Sequence, residues 1–260
     1  MLLLLSPAKS LDFDSPAAAV TPTEPQFLDR SAKLIGAMRK VSVPKLRALM
    51  DLSDSLARLN VERYKAWQPV HTETNSRPAA FAFDGDVYGG LRGRELTPAQ
   101  LKWAQDHLRI LSGLYGVLRP LDRIQPHRLE MGTKVSSGRT RDLYSYWGEQ
   151  VSITLAGELA ASRGKARAIV NCASEEYFKV VRPALLGVEV LDMVFEERKP
   201  DKPYKIVSFH AKRARGLMAR FMIEHRIDDP EKLKAFDVEG YAFAAADSTP
   251  TAWRFRREAP

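Results

Sequence analysis

The sequence predicts an α/β fold (mixed α+β) in a single domain, and three observations carry that prediction. Helical and strand patterns alternate along the whole chain. The chain opens on Leu2–Leu5, an apolar run suited to a strand buried on both faces. No internal repeat, low-complexity linker or clear domain boundary divides the 260 residues.

Taken in order, residues 10–25 are rich in Pro, Thr and Ala and read as a loop. Residues 24–40 read as a helix on the spacing of Phe27, Leu28, Ala32, Leu34, Ile35 and Met38. Pro44, favourable in a first helical turn, opens a short helix to Met50. A tight turn at residues 51–53 precedes a second helix, from Asp54 to Trp67, stopped by Pro69. Phe81, Phe83, Val87 and Tyr88 around Asp84-Gly85-Asp86 predict a strand and turn over 79–91. Thr97-Pro98 opens a helix ending near His107, and Leu108–Leu111 is a buried strand. Residues 117–141 look irregular. Residues 142–162 predict one helix, with Leu143, Trp147, Val151, Leu155 and Leu159 on one face. Residues 167–172 form a strand, and Ser174 caps a short helix through Val181. Strands follow at 188–195 and 204–209, then a helix at 210–226 and a last short strand at 253–255.

Composition excludes several classes. Hydrophobic residues are 45% and charged residues 28%, ordinary for a soluble globular protein. The one cysteine, Cys172, forms no internal disulfide, which fits a reducing compartment. No stretch approaches the ~20 apolar residues of a membrane helix, and the opening leucines lack the basic leader of a signal peptide. The cytoplasm is the expected location, with no membrane partner.

Charge points toward a polyanion. The net charge is +8 and unevenly placed: residues 92–141 carry ten basic and four acidic side chains, and residues 201–226 carry seven and two. A solvated basic surface fits the same numbers, so charge alone leaves both readings open.

Longer motifs narrow the choice. Leu5-Ser6-Pro7-Ala8-Lys9-Ser10-Leu11, Gly85-Asp86-Val87-Tyr88, the run from Leu111 to Asp122, and Arg128-Leu129-Glu130-Met131-Gly132 stand in order along the chain. Asp142-Leu143-Tyr144, Trp147-Gly148, Asn171, Ala173-Ser174, Glu176-Tyr177-Phe178-Lys179, Ser208-Phe209, Ala211-Lys212 and Ala214-Arg215-Gly216-Leu217-Met218 continue them. This series resembles the YaaA family of peroxide-stress-resistance proteins over nearly the whole chain. The resemblance implies a family-specific fold with a positively charged cleft and a helix-hairpin-helix element. It also implies DNA binding, to duplex or repair intermediates, and a role in surviving hydrogen peroxide with less damage from unincorporated iron.

The family's helix-hairpin-helix falls on residues 44–67. Such an element grips phosphate with backbone N–H groups at a helix start. Ser53 lies in the hairpin, and Lys45, Arg47, Arg58 and Arg63 supply charge around it. The hairpin lacks the usual glycines, and Asp51 and Asp54 repel phosphate. On the 210–226 helix, Arg213 and Arg220 are seven residues apart and share one side, flanked by Lys212 and Arg215. Arginine forks suit bidentate phosphate contact, and these two are expected to be exposed. Lys9, Arg119, Arg128 and Lys179 fall near turns or element ends, and whether they converge on one basic cleft is not legible in the sequence.

The competing reading is a metal-dependent enzyme acting on nucleic acid or nucleotides. Lys9, Asp84, Asp86, Glu130, Ser174, Glu175 and Arg119 offer a polar constellation, with Asp84 and Asp86 as oxygen ligands for Mg²⁺. No phosphate-binding glycine loop, nucleophile elbow or H-E-x-x-H helix supports it. The five histidines lack metal-ligand spacing, so neither a resident metal nor a cofactor is expected, and direct iron binding is disfavoured. Cys172 follows the apolar run Ala168-Ile169-Val170 and is expected to pack rather than sense peroxide.

Overall fold

The computed structural model describes residues 1–16, 20–138, 140–162 and 166–259. β1 (Leu2–Leu5) and β2 (Ser10–Leu11) are followed by α1 (Leu28–Met38), α2 (Val43–Met50) and α3 (Asp54–Ala66). Then come β3 (Arg77–Pro78), α4 (Ala79–Ala82), β4 (Phe83–Asp84) and α5 (Asp86–Leu91). α6 (Pro98–His107) runs into β5 (Leu108–Ser112), β6 (Gly116–Leu118) folds back on it, and β7 (Arg123–Ile124) follows. α7 (Leu143–Trp147) and α8 (Gln150–Ala161) lead to β8 (Ala168–Cys172), α9 (Glu175–Phe178) and β9 (Glu189–Arg198). α10 (Ser208–Glu224), β10 (Ala242–Phe243) and β11 (Ala252–Glu258) come last.

A seven-stranded sheet in the order β10-β11-β9-β8-β1-β5-β6 organises these elements. Its five inner strands run parallel, and the edge strands β10 and β6 are antiparallel. β1 lies between β5 and β8, with Leu5 opposite Ile110 on one side and Cys172 on the other. All four β1 leucines are buried, as expected for a central strand covered on both faces. From β1 the chain moves toward β5, whereas from β8 it moves away through β9 to β11. The connections therefore part between β1 and β8. In open parallel sheets such a switch point leaves a crevice at the carboxyl ends of the strands.

Several predicted elements change form. The 79–91 strand and turn is mostly helical: α4 and α5 flank the two-residue β4. Its β-favouring aromatic and branched residues are instead buried against neighbouring elements, and packing overrides propensity. The 142–162 helix is two helices, because Gly148 takes φ 55° and ψ −119°, a backbone open to glycine alone. Its predicted apolar face is nonetheless buried. The 204–209 strand is absent: Lys205 makes a single bridge to Glu197, and α10 already starts at Ser208. α1 starts at Leu28, later than expected. Within the 117–141 segment, Val117 and Leu118 extend β6, and β7 is a further short strand. Of the 10–25 loop, residues 17–19 lie outside the described residues, and Ser10–Leu11 pairs with β4.

α5 and α10 cross backbone against backbone. A Cβ on Gly90 would lie 2.2 Å from the Arg213 carbonyl oxygen, and one on Gly216 would lie 1.8 Å from that of Val87. Glycine costs α10 about 1 kcal/mol of helix propensity, a cost offset by this close approach. Gly216→Ala is expected to lower stability by about 3 kcal/mol, because both helix backbones must separate to admit the methyl group. A urea-unfolding midpoint equal to that of the unsubstituted protein would contradict this packing.

A buried polar knot gathers around Tyr115, in the turn between β5 and β6. The Tyr115 hydroxyl accepts from Trp67 Nε1 (3.1 Å) and the Gln125 N–H (3.1 Å) and meets His71 Nε2 at 3.2 Å. His127 packs edge-on against Tyr115, and burial pushes its pKa from 6.5 down to about 4. The folded state therefore holds His127 neutral while the unfolded chain protonates it. The associated stability is complete above about pH 6.5 and is lost as the pH falls toward 4, by about 3 kcal/mol. His127→Gln should flatten the pH dependence of the urea midpoint between pH 7 and pH 4.5; an unaltered dependence would show that His127 does not carry it.

Candidate functional site

A cleft of about 310 Å³ opens at the β1/β8 switch point. Ser6, Pro7, Ala8, Lys9 and Ser10, from the end of β1 to the start of β2, line it, with Asp84–Val87 from the β4–α5 junction, Ser174, Glu176 and Tyr177 after β8, and Lys212 and Arg215 from α10. Ser6 and Ser174 tie the two strand ends together. The Ser174 N–H donates to Ser6 Oγ (2.8 Å), and the Ser6 hydroxyl donates to Ser174 Oγ (3.3 Å). The Ser174 side chain is thus used across the sheet and does not cap α9, contrary to expectation. Tyr88 reaches the same corner, its hydroxyl donating to the Ser6 carbonyl (3.1 Å).

The cleft is of mixed charge rather than uniformly basic: Lys9, Lys212 and Arg215 face Asp84, Asp86 and Glu176. Lys9 pairs with Glu130 (3.0 Å), which also holds Arg128 (2.9 Å). Two of the predicted cations therefore converge, with a carboxylate between them. Glu176 accepts from the Gly132 N–H (2.9 Å). Arg215 is different. Its Nε is buried with no hydrogen-bond partner, and no carboxylate pairs with its guanidinium among the described residues. Burial lowers its pKa, yet a guanidinium stays protonated at neutral pH. Beside it, burial pushes the Cys172 thiol up to about 12, which leaves almost no thiolate and suits packing rather than peroxide sensing.

The other predicted cations lie elsewhere. Arg119 binds buried Asp122 (3.0 Å) and lines a separate cavity with Arg109 and Glu158. Lys179 stands over the Tyr144 ring at 5.1 Å, in a groove that shares Arg215 with the cleft. Arg213 and Arg220, expected to be free forks, are engaged. Arg213 binds Glu239 (2.6 Å) and the Gly89 carbonyl (3.0 Å). Arg220 binds Glu224 (2.7 Å), Glu95 (3.3 Å) and the Leu91 and Arg92 carbonyls, and only 13% of its side chain is exposed. The unpaired carbonyls closing α5 attract these donors.

α2 and α3 form a helical pair joined through Asp51, in the left-handed region, and Ser53. Two donors of the turn are spent within it: the Leu52 N–H on the Arg47 carbonyl (3.0 Å) and the Leu56 N–H on Ser53 Oγ (3.3 Å). Arg58 is held by Asp54 at 2.6 Å. Lys45 and Arg47 are exposed.

Lys45 belongs to a second concavity that the sequence did not single out. Between α1, α2 and the 134–138 loop, a groove of about 640 Å³ is lined by Lys33, Lys40, Lys45 and Lys134 over an apolar bed of Ala37, Val41, Leu49 and Val135. No carboxylate lines it, and none of these four lysines forms an ion pair among the described residues. The seven-residue spacing of Lys33 and Lys40 was the available signal; Lys134 reaches them only through the fold.

The comparisons with known proteins agree with one another. The profile of the family described as peroxide stress protein YaaA matches residues 1–247. The chain belongs to the YaaA family. A UPF0246 protein of Ralstonia pickettii is 58% identical over 258 residues, covering 99% of each chain. One of Ralstonia nicotianae is 56% identical over 259 residues, covering 100% of each, and one of Burkholderia multivorans is 51% identical over 257 residues, covering 99% of this chain and 98% of its own. Among the described residues of this YaaA-family chain, no helix is long and apolar enough to cross a membrane.

The distribution of ion pairs predicts unequal mutational costs. Arg220→Ala should destabilise by about 2 kcal/mol, since it strips partners from two carboxylates and two carbonyls at a largely buried position. Arg58→Ala, which opens only an exposed pair, should change stability by less than about 0.5 kcal/mol. Thermal unfolding of the two variants measures the contrast, and equal melting temperatures would refute it.

Proposed function

We propose that this protein binds DNA, duplex or repair intermediates, through largely sequence-independent phosphate contacts within the peroxide stress response. The observation that carries this reading is the lysine groove. Four exposed ammonium groups without carboxylate partners among the described residues line one concavity, and uncompensated like charge of this kind favours a polyanion. Serine hydroxyls and backbone on the loop side, at Ser136–Gly138, suit the phosphate and sugar contacts that position a nucleic acid without reading its bases. In this reading the protein shields DNA or assists its repair, which lessens the damage done through unincorporated iron. Of the residues proposed from sequence, Lys45 contributes directly and Arg47 lies on the same helix. Lys212 adds charge at the switch-point cleft.

The test is a DNA titration across salt concentrations, with and without Mg²⁺, followed by electrophoresis of the DNA. Binding should fall steeply with salt and leave the DNA intact. Mg²⁺-dependent cleavage would instead favour a metal-dependent enzyme using Asp84 and Asp86. Replacing Lys33, Lys40, Lys45 and Lys134 together by alanine should weaken binding to all duplex sequences alike. The slope of log K against log salt should become shallower by about 0.9 for each phosphate contact removed. A folded quadruple variant with unchanged affinity and slope would remove the groove from the interface.

A further inference from the structure

We propose that the β1/β8 cleft is a separate binding site for a sugar-borne phosphomonoester, with Arg215 as its anion anchor. The argument begins with an imbalance. A cation removed from water costs several kcal/mol unless a partner restores the lost interactions. Three arginines with largely buried side chains have such partners: Arg109 has Glu158, Arg220 has Glu95 and Glu224, and Arg257 has Glu197. Arg215 has no ion pair or hydrogen bond among the described residues, and its Nε is sealed from solvent. The partner it lacks is an anion, and the cleft it lines is where that anion has access.

The surroundings narrow the anion to a phosphate. Lys212, one turn before Arg215 on α10, is exposed in the same cleft without an ion pair among the described residues. The Ser174 oxygen already accepts from Ser6, so its own proton is directed to another acceptor. Two cations and a hydroxyl donor suit a dianion with three terminal oxygens better than a single carboxylate. The cleft also carries Asp84 and Asp86, at the β4–α5 junction rather than on α10, and these have no ion-pair partner among the described residues. They repel a second phosphate and accept from hydroxyl or amino groups. A ligand with one phosphate at one end and hydrogen-bond donors at the other satisfies both sides. The volume of about 310 Å³ suits a small molecule or one terminal nucleotide rather than a duplex. The residues involved are distinct from those of the lysine groove, so the site does not depend on duplex binding.

Two sources supply this chemistry, a free nucleoside monophosphate and the 5′-phosphorylated end of a strand. Calorimetric titration of the full chain with deoxyadenosine 5′-monophosphate, inorganic phosphate, and a short single-stranded oligonucleotide with either a 5′-phosphate or a 5′-hydroxyl distinguishes them. Binding of the monophosphate alone assigns the free nucleotide. Binding of the phosphorylated oligonucleotide above its hydroxyl control assigns the strand end. Arg215→Met should weaken whichever binds by about tenfold to a hundredfold, and Arg215→Lys should lie between. Without ligand, Arg215→Met should melt no lower than the unsubstituted chain, because methionine fills similar space without an unpaired charge. Lys212→Ala, at an exposed position, keeps the test open and should weaken binding by a smaller factor. The proposal fails if neither phosphomonoester binds, if the phosphorylated and hydroxyl oligonucleotides bind alike and the monophosphate does not bind, if Arg215→Met binds as tightly as the unsubstituted chain, or if it melts well below it. Duplex affinity measured on the Arg215 variants reports on the lysine groove independently.

Discussion

Where α5 and α10 cross, Gly90 and Gly216 let two helix backbones touch, and the rest of the site is built outward from that contact. The crossing holds α10 close enough for Arg213 to reach the Gly89 carbonyl and for Arg220 to reach those of Leu91 and Arg92. Those arginines close the carboxyl end of α5. On the same helix, Lys212 and Arg215 line a cleft whose other side is the start of α5, Asp84–Val87. One close approach thus determines both which arginines are structural and which face the cleft. The β1/β8 switch point supplies the remaining walls through Ser6 and Ser174.

Charge in this protein divides into two populations. Most arginines are held by carboxylates or helix-end carbonyls, and of the seven basic residues in 201–226 Arg213 and Arg220 are paired in this way within the fold. The planar fork favours such use, because it satisfies several acceptors at once. Among the described residues, the lysines of the α1–α2 groove are left without carboxylates, and in the cleft Arg215 combines burial with the lack of a partner. Net charge is a sum over both populations. Its magnitude therefore identifies a polyanion partner less well than the position of the unpaired cations does.

Much of the fold was legible because its signals are local. The four leucines of β1, Thr97-Pro98 at the start of α6, Pro44 at the start of α2 and the apolar run of β8 each declare their element within a few residues. The failures share a cause. Over 79–91, aromatic and branched residues suggest a strand, but packing against α10 decides for helix. At Gly148, an uninterrupted apolar face hides a break that only the backbone angles show. At 204–209, β-favouring residues sit in a segment whose only pairing is one bridge.

By itself, the sequence determined the family, through ordered motifs spread over nearly the whole chain, and the mixed α/β class, through alternating periodicities. It also pointed to Cys172 packing in a strand, through the apolar run before it, and the thiol is buried there. Which cations meet an acceptor was decided only in three dimensions. Arg213 finds Glu239, Lys9 finds Glu130, Lys33 and Lys134 share a groove, and Arg215 finds no carboxylate among the described residues. Electrostatic pairing acts over a few ångströms of space, and residues that close in the fold stand many positions apart along the chain.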